Sequence, residues 1–405
     1  MNQMSSVPRP LPPPLPAAMS FTGDRGEFCR LVARGAMLEL VTFGFYRFWL
    51  ATDVRRHLWS HAAVDGDAPE YTGRGRELLV GFLFALAILV PIYLVYSLIG
   101  VEAERLKAFA SIPFALFFYL FGQFAIYRAR RYRLTRTVWR GVRFWMDGSG
   151  WAYAARAAWW TLLTASTAGL ILPWREAALE RYKMRHCYYG DLQGSFAGTG
   201  GELFKLGWRL WLMAVLPLIV AILAAIVRSV AGKPPGGVVV AGLLTLVWLV
   251  ALPFIYGGFK AVEWRWWISG IRFGEVSFQS DLPRGALYGV YWKVIGWFIL
   301  IAALLALYLY ICVSSAVVPF GDLSSTAVRF EGNTPLVVAA VVGYLATILA
   351  VNVVLRVYLL RDVWARIVAS TTARHLEAVA NVAAKGDLAN ALGEGLSGNL
   401  DVVGF

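Results

Sequence analysis

Charge is scarce in this sequence: Asp, Glu, Lys and Arg supply 16% of its 405 residues, against about 25% in a soluble globular chain. The shortage is uneven. Leu78–Gly100, Ala108–Tyr127, Leu210–Val227, Pro234–Phe259, Val294–Gly321 and Gly332–Leu355 contain none of the four residue types. A helix of about 20 apolar residues crosses a hydrocarbon core of about 30 Å, and each of these runs comes close to that length or exceeds it. Cysteine is also sparse. Cys29, Cys187 and Cys312 lie far apart, without CxxC or Cys/His spacing, which excludes a disulfide framework and a cysteine zinc site. Of four histidines, His57 and His61 stand at i,i+4, but Leu-Trp-Ser lies between them and the Glu of H-E-x-x-H is missing. Solvated loop histidines and no metal are therefore expected. There is no Walker-type lysine loop, no G-x-S-x-G elbow and no acid/base pair. No catalytic residue, no cofactor and no enzymatic activity are expected.

What is present is a mean hydropathy of +0.59, and a formal charge of +13 gathered in the loops between the apolar runs. These features predict an all-α integral membrane protein with six strong transmembrane helices. The basic loops fit membrane lipids as partners, with anionic headgroups at the cytoplasmic face, better than a nucleic acid; they identify no protein partner. The Pro-rich stretch Val7–Pro16 reads as a disordered leader over residues 1–20, and no cleavable signal peptide precedes the first apolar segment.

An internal repeat organises the rest. Thr42-Phe43-Gly44-Phe45-Tyr46-Arg47-Phe48-Trp49 aligns with Thr167-Ala168-Gly169-Leu170-Ile171-Leu172-Pro173-Trp174, and Gly73-x-Gly75-x-Glu77-Leu78 with Gly198-x-Gly200-x-Glu202-Leu203, both at an offset of 125 residues. Fixed-period similarity implies a duplicated unit: repeat 1 over 21–150, repeat 2 over 151–275, then the last two spans over 276–360. The paired glycines serve as sharp turns into membrane helices. Aromatics alternating with Gly, Asp and Ser around Tyr189–Gly198 and Phe273–Asp281 predict short cytoplasmic hairpins. Residues 361–405 read as an amphipathic helix, with Leu376, Val379, Ala380 and Ala383 on one face, followed by an acidic, Gly-rich tail.

Two weaker segments, Cys29–Trp49 and Ala154–Trp174, decide the topology as re-entrant, interfacial or spanning helices. The first carries Arg30, Arg34, Glu39 and Arg47, each costing roughly 2.5–3.5 kcal/mol near a membrane centre. If both segments crossed, the arginine-rich loop 127–153 would fall outside, against the positive-inside rule. Six spans with both termini cytoplasmic agree with that rule.

Polar groups at membrane depth are functional candidates by default. Glu39, with Arg34 five residues earlier, and Gln123 and Asn352 in the long spans are the candidate cavity residues. Pro91, Pro217, Pro253 and Gly257-Gly258 are places where a helix could break to line a cavity. Arg130, Arg131, Arg133, Trp174, Arg175, Trp264, Arg265 and Trp266 stand where spans end, as interfacial anchors or lipid contacts.

Trp139-Arg140-Gly141-Val142-Arg143-Phe144, Pro173-Trp174-Arg175, Leu179-Glu180-Arg181-Tyr182-Lys183 and Tyr189-Gly190-Asp191 with Phe196-x-Gly198 carry a resemblance. So do the start, from Phe21-Thr22-Gly23 to Phe48-Trp49, and the Gly393-Glu394 tail. In these motifs, which extend over nearly the whole chain beyond the leader, the protein resembles the YjgN-like bacterial inner-membrane proteins, a domain of unknown function (898). The resemblance implies an inner-membrane location and no particular activity. Two functions remain open: a transporter or channel with a midplane cavity, and a non-transporting scaffold or lipid-interacting protein.

Overall fold

A computed structural model describes residues 16–102, 104–231, 237–316, 334–386 and 388–389. The leader through residue 15, the loop 322–331 and the tail beyond residue 389 lie outside the described residues.

The chain follows one plan five times: a short strand, a pair of helices, and a strand that pairs with the first. β1 (Ala17–Phe21) leads through α1 (Arg25–Val41) and α2 (Arg47–Ser60) to β2 (Ala62–Val64). β3 (Glu70–Tyr71) leads through α3 (Gly75–Glu102) and α4 (Glu104–Thr135) to β4 (Thr137–Trp139). The third unit is β5 (Val142–Met146), α5 (Gly150–Ser166), α6 (Leu172–Arg185) and β6 (Cys187–Tyr189). The fourth is β7 (Leu192–Phe196), α7 (Gly200–Ala231), α8 (Gly237–Gly270) and β8 (Ile271–Phe273). In the fifth, β9 (Val276–Ser280) and α9 (Tyr288–Ala316) precede α10 (Thr334–Val354), which runs on through a π-helical stretch, Leu355–Asp362, into α11 (Val363–Ala369) and β10 (Thr371–Arg374).

The expectation of an all-α protein is corrected here. The chain is mostly helical, but its strands join in one antiparallel sheet of ten, ordered β2-β1-β10-β9-β8-β7-β6-β5-β4-β3. Strands of two to five residues are too short for a period-two pattern to stand out, and most of their pairing is to strands a whole helix pair away. The tight turns are the legible part. β6–β7 and β8–β9 are the two expected hairpins, and β4–β5 adds a third at Arg140-Gly141, both residues at positive φ, +47° and +77°.

This sheet has to curl. Ten strands laid flat at about 4.8 Å spacing would separate its ends by about 43 Å. Yet the end strands β2 and β3 are joined by residues 65–69 alone, which reach at most about 21 Å. The seam is held by Arg140, whose guanidinium bridges Asp65 at 2.9 Å and Asp67 at 2.6 Å, while the Trp139 indole N–H donates to the Asp67 carbonyl at 3.1 Å. The helices follow the same circuit. Each packs on its neighbour in sequence, and α10 returns to pack on α1.

Helix length divides the pairs into two kinds. At about 1.5 Å per residue, α1, α2, α5 and α6 extend about 21–26 Å from the sheet, and α3, α4, α7, α8 and α9 about 42–51 Å. Among the described residues, six helices are long and apolar enough to cross a membrane, the last of them running over Val337–Ala369. The two weaker segments are a different object from single helices: each is a helical hairpin. Phe43 and Gly44 take φ of +51° and +86°, and Ala168 and Gly169 repeat this at +50° and +85°. Left-handed residues in succession stop the helix and turn it back. Both turns are locked alike, the Thr42 and Thr167 hydroxyls donating to Leu38 and Leu163 carbonyls and accepting from the Tyr46 and Ile171 amides.

The packed core lies at the sheet end. Phe28, Val32, Leu50 and Leu58 fill the base of α1/α2; Tyr127, Met146, Tyr153 and Leu179 fill that of α4–α6. Toward their far ends the six long helices are mostly unburied within the chain, with 6–22% of each apolar window covered. Pro91, Pro217 and Pro253 sit inside continuous helices. Gly257 and Gly258 receive the rings of Tyr291 and Tyr288, so they serve close helix packing. Leu376–Val379 is a single 3-10 turn rather than the expected amphipathic helix, and the described residues after it form no helix or strand.

The Gly-x-Gly turns act as close approaches: Gly75 and Gly200 lie against the Trp49 and Trp174 backbones. Gly200→Ala would set a Cβ 2.7 Å from the Trp174 Cα. We expect it to cost about 1–3 kcal/mol, read as a lowered Tm of the purified protein in detergent; an unchanged Tm would contradict this packing.

Candidate functional site on the last long helix

The stretch Leu355–Asp362 winds as a π-helix, a rare form that is frequent at functional sites. It carries Arg356, Arg361 and Asp362, and each has a partner on the first helical hairpin or the turn before it. Arg356 Nη2 donates to the Glu39 carboxylate of α1 at 3.2 Å. The two ends agree in depth: Glu39 is about 21 Å along α1 from its start, and Arg356 about 20 Å from the end of α11. Both side chains are about four-fifths buried, at 20% and 18% exposure. Nη1 of Arg356 is buried without a hydrogen-bond partner among the described residues. Glu39, which has no i,i+4 partner on its own helix, thus finds its counter-charge across the ring closure between α1 and the last long helix.

Nearer the sheet the same two elements frame an open pocket of about 530 Å³, lined by Phe21, Thr22, Gly23, Arg25, Lys293, Arg361, Asp362, Ala365, Arg366 and Ala369. Asp362 anchors it, pairing with Arg25 at 3.1 Å and Arg361 at 2.8 Å. Arg25 lies over the Tyr358 ring at 4.6 Å, and Arg366 donates to the Asp362 carbonyl at 3.0 Å. Lys293 stands exposed on the rim, one and a half turns into α9. Four cations therefore face one carboxylate. Such a concavity suits an anion, and its volume lies within the few hundred cubic ångströms typical of small-ligand sites. Nothing in the local pattern of the sequence links residues 25, 293, 361 and 366; ring closure brings them together.

The remaining candidates are distributed differently. Arg34 is exposed on α1, and Gln123 is half-buried in α4. Asn352 donates to the Ile348 carbonyl of its own helix at 3.1 Å. Arg130 turns inward to Glu180 at 3.2 Å. Arg133 is buried and Arg131 half-buried, and Arg175 pairs with Glu176. Trp264 and Trp266 are core residues, the latter's indole N–H donating to the Thr199 carbonyl at 3.0 Å. Arg265 is exposed, and Trp174 is partly exposed beside Phe204. His57, expected in a loop, is buried on α2; burial, and then the neighbouring His61, hold its imidazole below the usual histidine range. Burial pushes the Cys187 thiol up to about 11, which leaves it unreactive.

Glu180 of α6 is the most strongly held carboxylate among the described residues. Burial opposes its ionisation, but Lys183 and Arg130 outweigh it and bring its pKa to about 2. A carboxylate so depressed stabilises the fold fully above its ordinary value of 4.5 and loses that contribution as pH falls toward 2. Glu180→Gln should cost about 3–5 kcal/mol at neutral pH, because it strands two cations that are mostly shielded from water. Thermal unfolding in detergent reads this, and the gap from the native protein should narrow below pH 4.5. A variant as stable as the native protein at neutral pH would contradict the pairing.

No curated protein and no solved structure matches the chain. A family described as bacterial protein of unknown function (DUF898) matches residues 16–282 and 229–386. These segments cover nearly all of the described helices and strands, and the chain belongs to that family.

Proposed function

We propose that this protein is a non-transporting scaffold of the bacterial inner membrane that holds anionic phospholipid at its cytoplasmic face. The observation that carries the reading is the pocket of Arg25, Lys293, Arg361 and Arg366 around Asp362. It lies where the long helices change from charged to apolar: uncharged sequence begins at Val294 on α9 and ends at Leu355 on the last long helix. A phosphate headgroup reaches that depth while its acyl chains remain in hydrocarbon, and basic pockets between helices suit such headgroups.

In this reading the sheet is cytoplasmic, since the basic loops join its strands. The two short hairpins enter one leaflet and return. From Ala157 to the turn at 167–171, α5 has no charge and is long enough for about 15 Å of depth, half of a hydrocarbon core. Val41, Phe43 and Phe45 at one tip, and Leu170 at the other, are exposed in the chain itself, as lipid-facing tips require. β1, α1, α2 and β2 begin at residues 17, 25, 47 and 62, and β5, α5, α6 and β6 at 142, 150, 172 and 187. That constant spacing of 125 supports a duplicated unit.

A second reading, passage of a small solute, is favoured by the Glu39–Arg356 pair with its unpartnered Nη1. Native mass spectrometry of protein extracted in mild detergent separates the two. The scaffold reading expects bound phosphatidylglycerol or cardiolipin, depleted in the Lys293→Ala/Arg366→Ala variant, which spares the Arg25 and Arg361 pairs with Asp362. Equal retention of anionic lipid by that variant would refute it. Flux into liposomes that is abolished by Glu39→Gln would favour passage instead.

A further inference from the structure

The base of the first helical hairpin carries a constellation that neither the lipid pocket nor the buried ion pairs use. Glu27 of the first turn of α1, His57 of the last turn of α2 and His61 at its C-cap each offer a ligand atom, and these atoms lie within 4.8 Å of one another. The ligands of a tetrahedral zinc site at 2.0–2.1 Å stand roughly 3.4 Å apart. The observed separation is thus an open form that small side-chain rotations would close.

The two imidazoles are placed close enough to act as ligands to one ion. Their ring centroids are 4.2 Å apart. His61 Nδ1 lies 2.7 Å from the His57 carbonyl. A carbonyl can only accept, so Nδ1 carries the proton and Nε2 keeps its lone pair free. Metal-bound histidines are usually oriented by this outer contact. His57 is 7% exposed, packs against Phe28, and its Nε2 is buried with no hydrogen-bond partner among the described residues. An unsatisfied buried nitrogen costs about 1–3 kcal/mol, and a metal bond removes that cost. Glu27 is exposed and opens the site to solvent as an entry path.

We propose that Glu27, His57 and His61 bind one divalent transition-metal ion, Zn²⁺ by the borderline softness of two imidazoles and a carboxylate. The ion clamps the start of α1 to the end of α2, fixing the hairpin where it leaves the sheet. Asp24 and Arg361 face the same histidine; Asp24 caps the Glu27 amide, and Arg361 is engaged by Asp362 and the Gly23 carbonyl.

The test is calorimetric titration of the full-length, tag-free, chelator-treated protein in detergent with ZnCl2, paired with Co²⁺ substitution. Expected are one Zn²⁺ per chain and visible Co²⁺ absorption of low-symmetry, few-ligand form. His61→Ala and Glu27→Gln should each weaken Zn²⁺ at least tenfold, since even outer-shell changes cost 10–100-fold, and should abolish the Co²⁺ absorption. Both residues lie outside the apolar core, so these variants remain informative if His57→Ala fails to fold. Absence of Zn²⁺ binding by the native protein, or unchanged affinity and Co²⁺ spectra in both variants, would overturn the assignment.

Discussion

Closure of the sheet is the constraint on which everything else in this molecule depends. In each unit the strand before a helix pair is hydrogen-bonded to the strand after it. A helix pair must therefore end at the level where it began, whatever its length. Long pairs can go out and come back; short pairs, with Gly44 and Gly169 at their turns, go part of the way and come back. The same closure puts α1 beside the last long helix, and with it Glu39 beside Arg356 and Arg25 beside Asp362. No local feature of the chain would place these charges together.

Energetics follow the same division. Near the sheet, side chains are packed and two carboxylates are held by several partners each: Glu180 by Arg130 and Lys183, Glu77 by Arg136 at 2.7 Å and the Tyr132 hydroxyl at 2.8 Å. Burial and hydrogen bonding give this end its specificity. Away from the sheet the long helices present mostly uncovered apolar side chains, and in lipid such side chains gain little from packing on each other. The sheet end thus sets the arrangement and the apolar ends take their solvent from the bilayer. The anion pocket and the proposed metal site both lie in the ordered part, at the foot of the first hairpin.

The long helices were legible because absence of charge over twenty or more residues has no competing explanation, and the hairpins at Gly190 and Gly274 because a turn residue at positive φ leaves a local mark. Two- and three-residue strands leave none, so no local pattern marks the ring. Tryptophans near the ends of apolar runs suggest anchors, yet Trp264 and Trp266 are core, because the helix continues past the apolar run down to the sheet. His57 and His61 showed their i,i+4 spacing, but the carboxylate that joins them comes from Glu27, thirty residues upstream and on another helix. Glu39 was visible as an oddity; its partner, more than three hundred residues away, was not.

The most direct test of the same-side closure is accessibility of single cysteines, introduced into the native-cysteine-free protein at Asp65, Arg140, Asp191 and Glu275 in the turns of the sheet and at Phe43 and Ala168 in the tips. A membrane-impermeant maleimide applied to intact cells, then to inverted vesicles, reads the two faces. With the sheet on the cytoplasmic side, all four turn positions should label in inverted vesicles alone, and both tips should resist labelling from either face. Labelling of Arg140 or Glu275 in intact cells, or of either tip from outside, would contradict that placement.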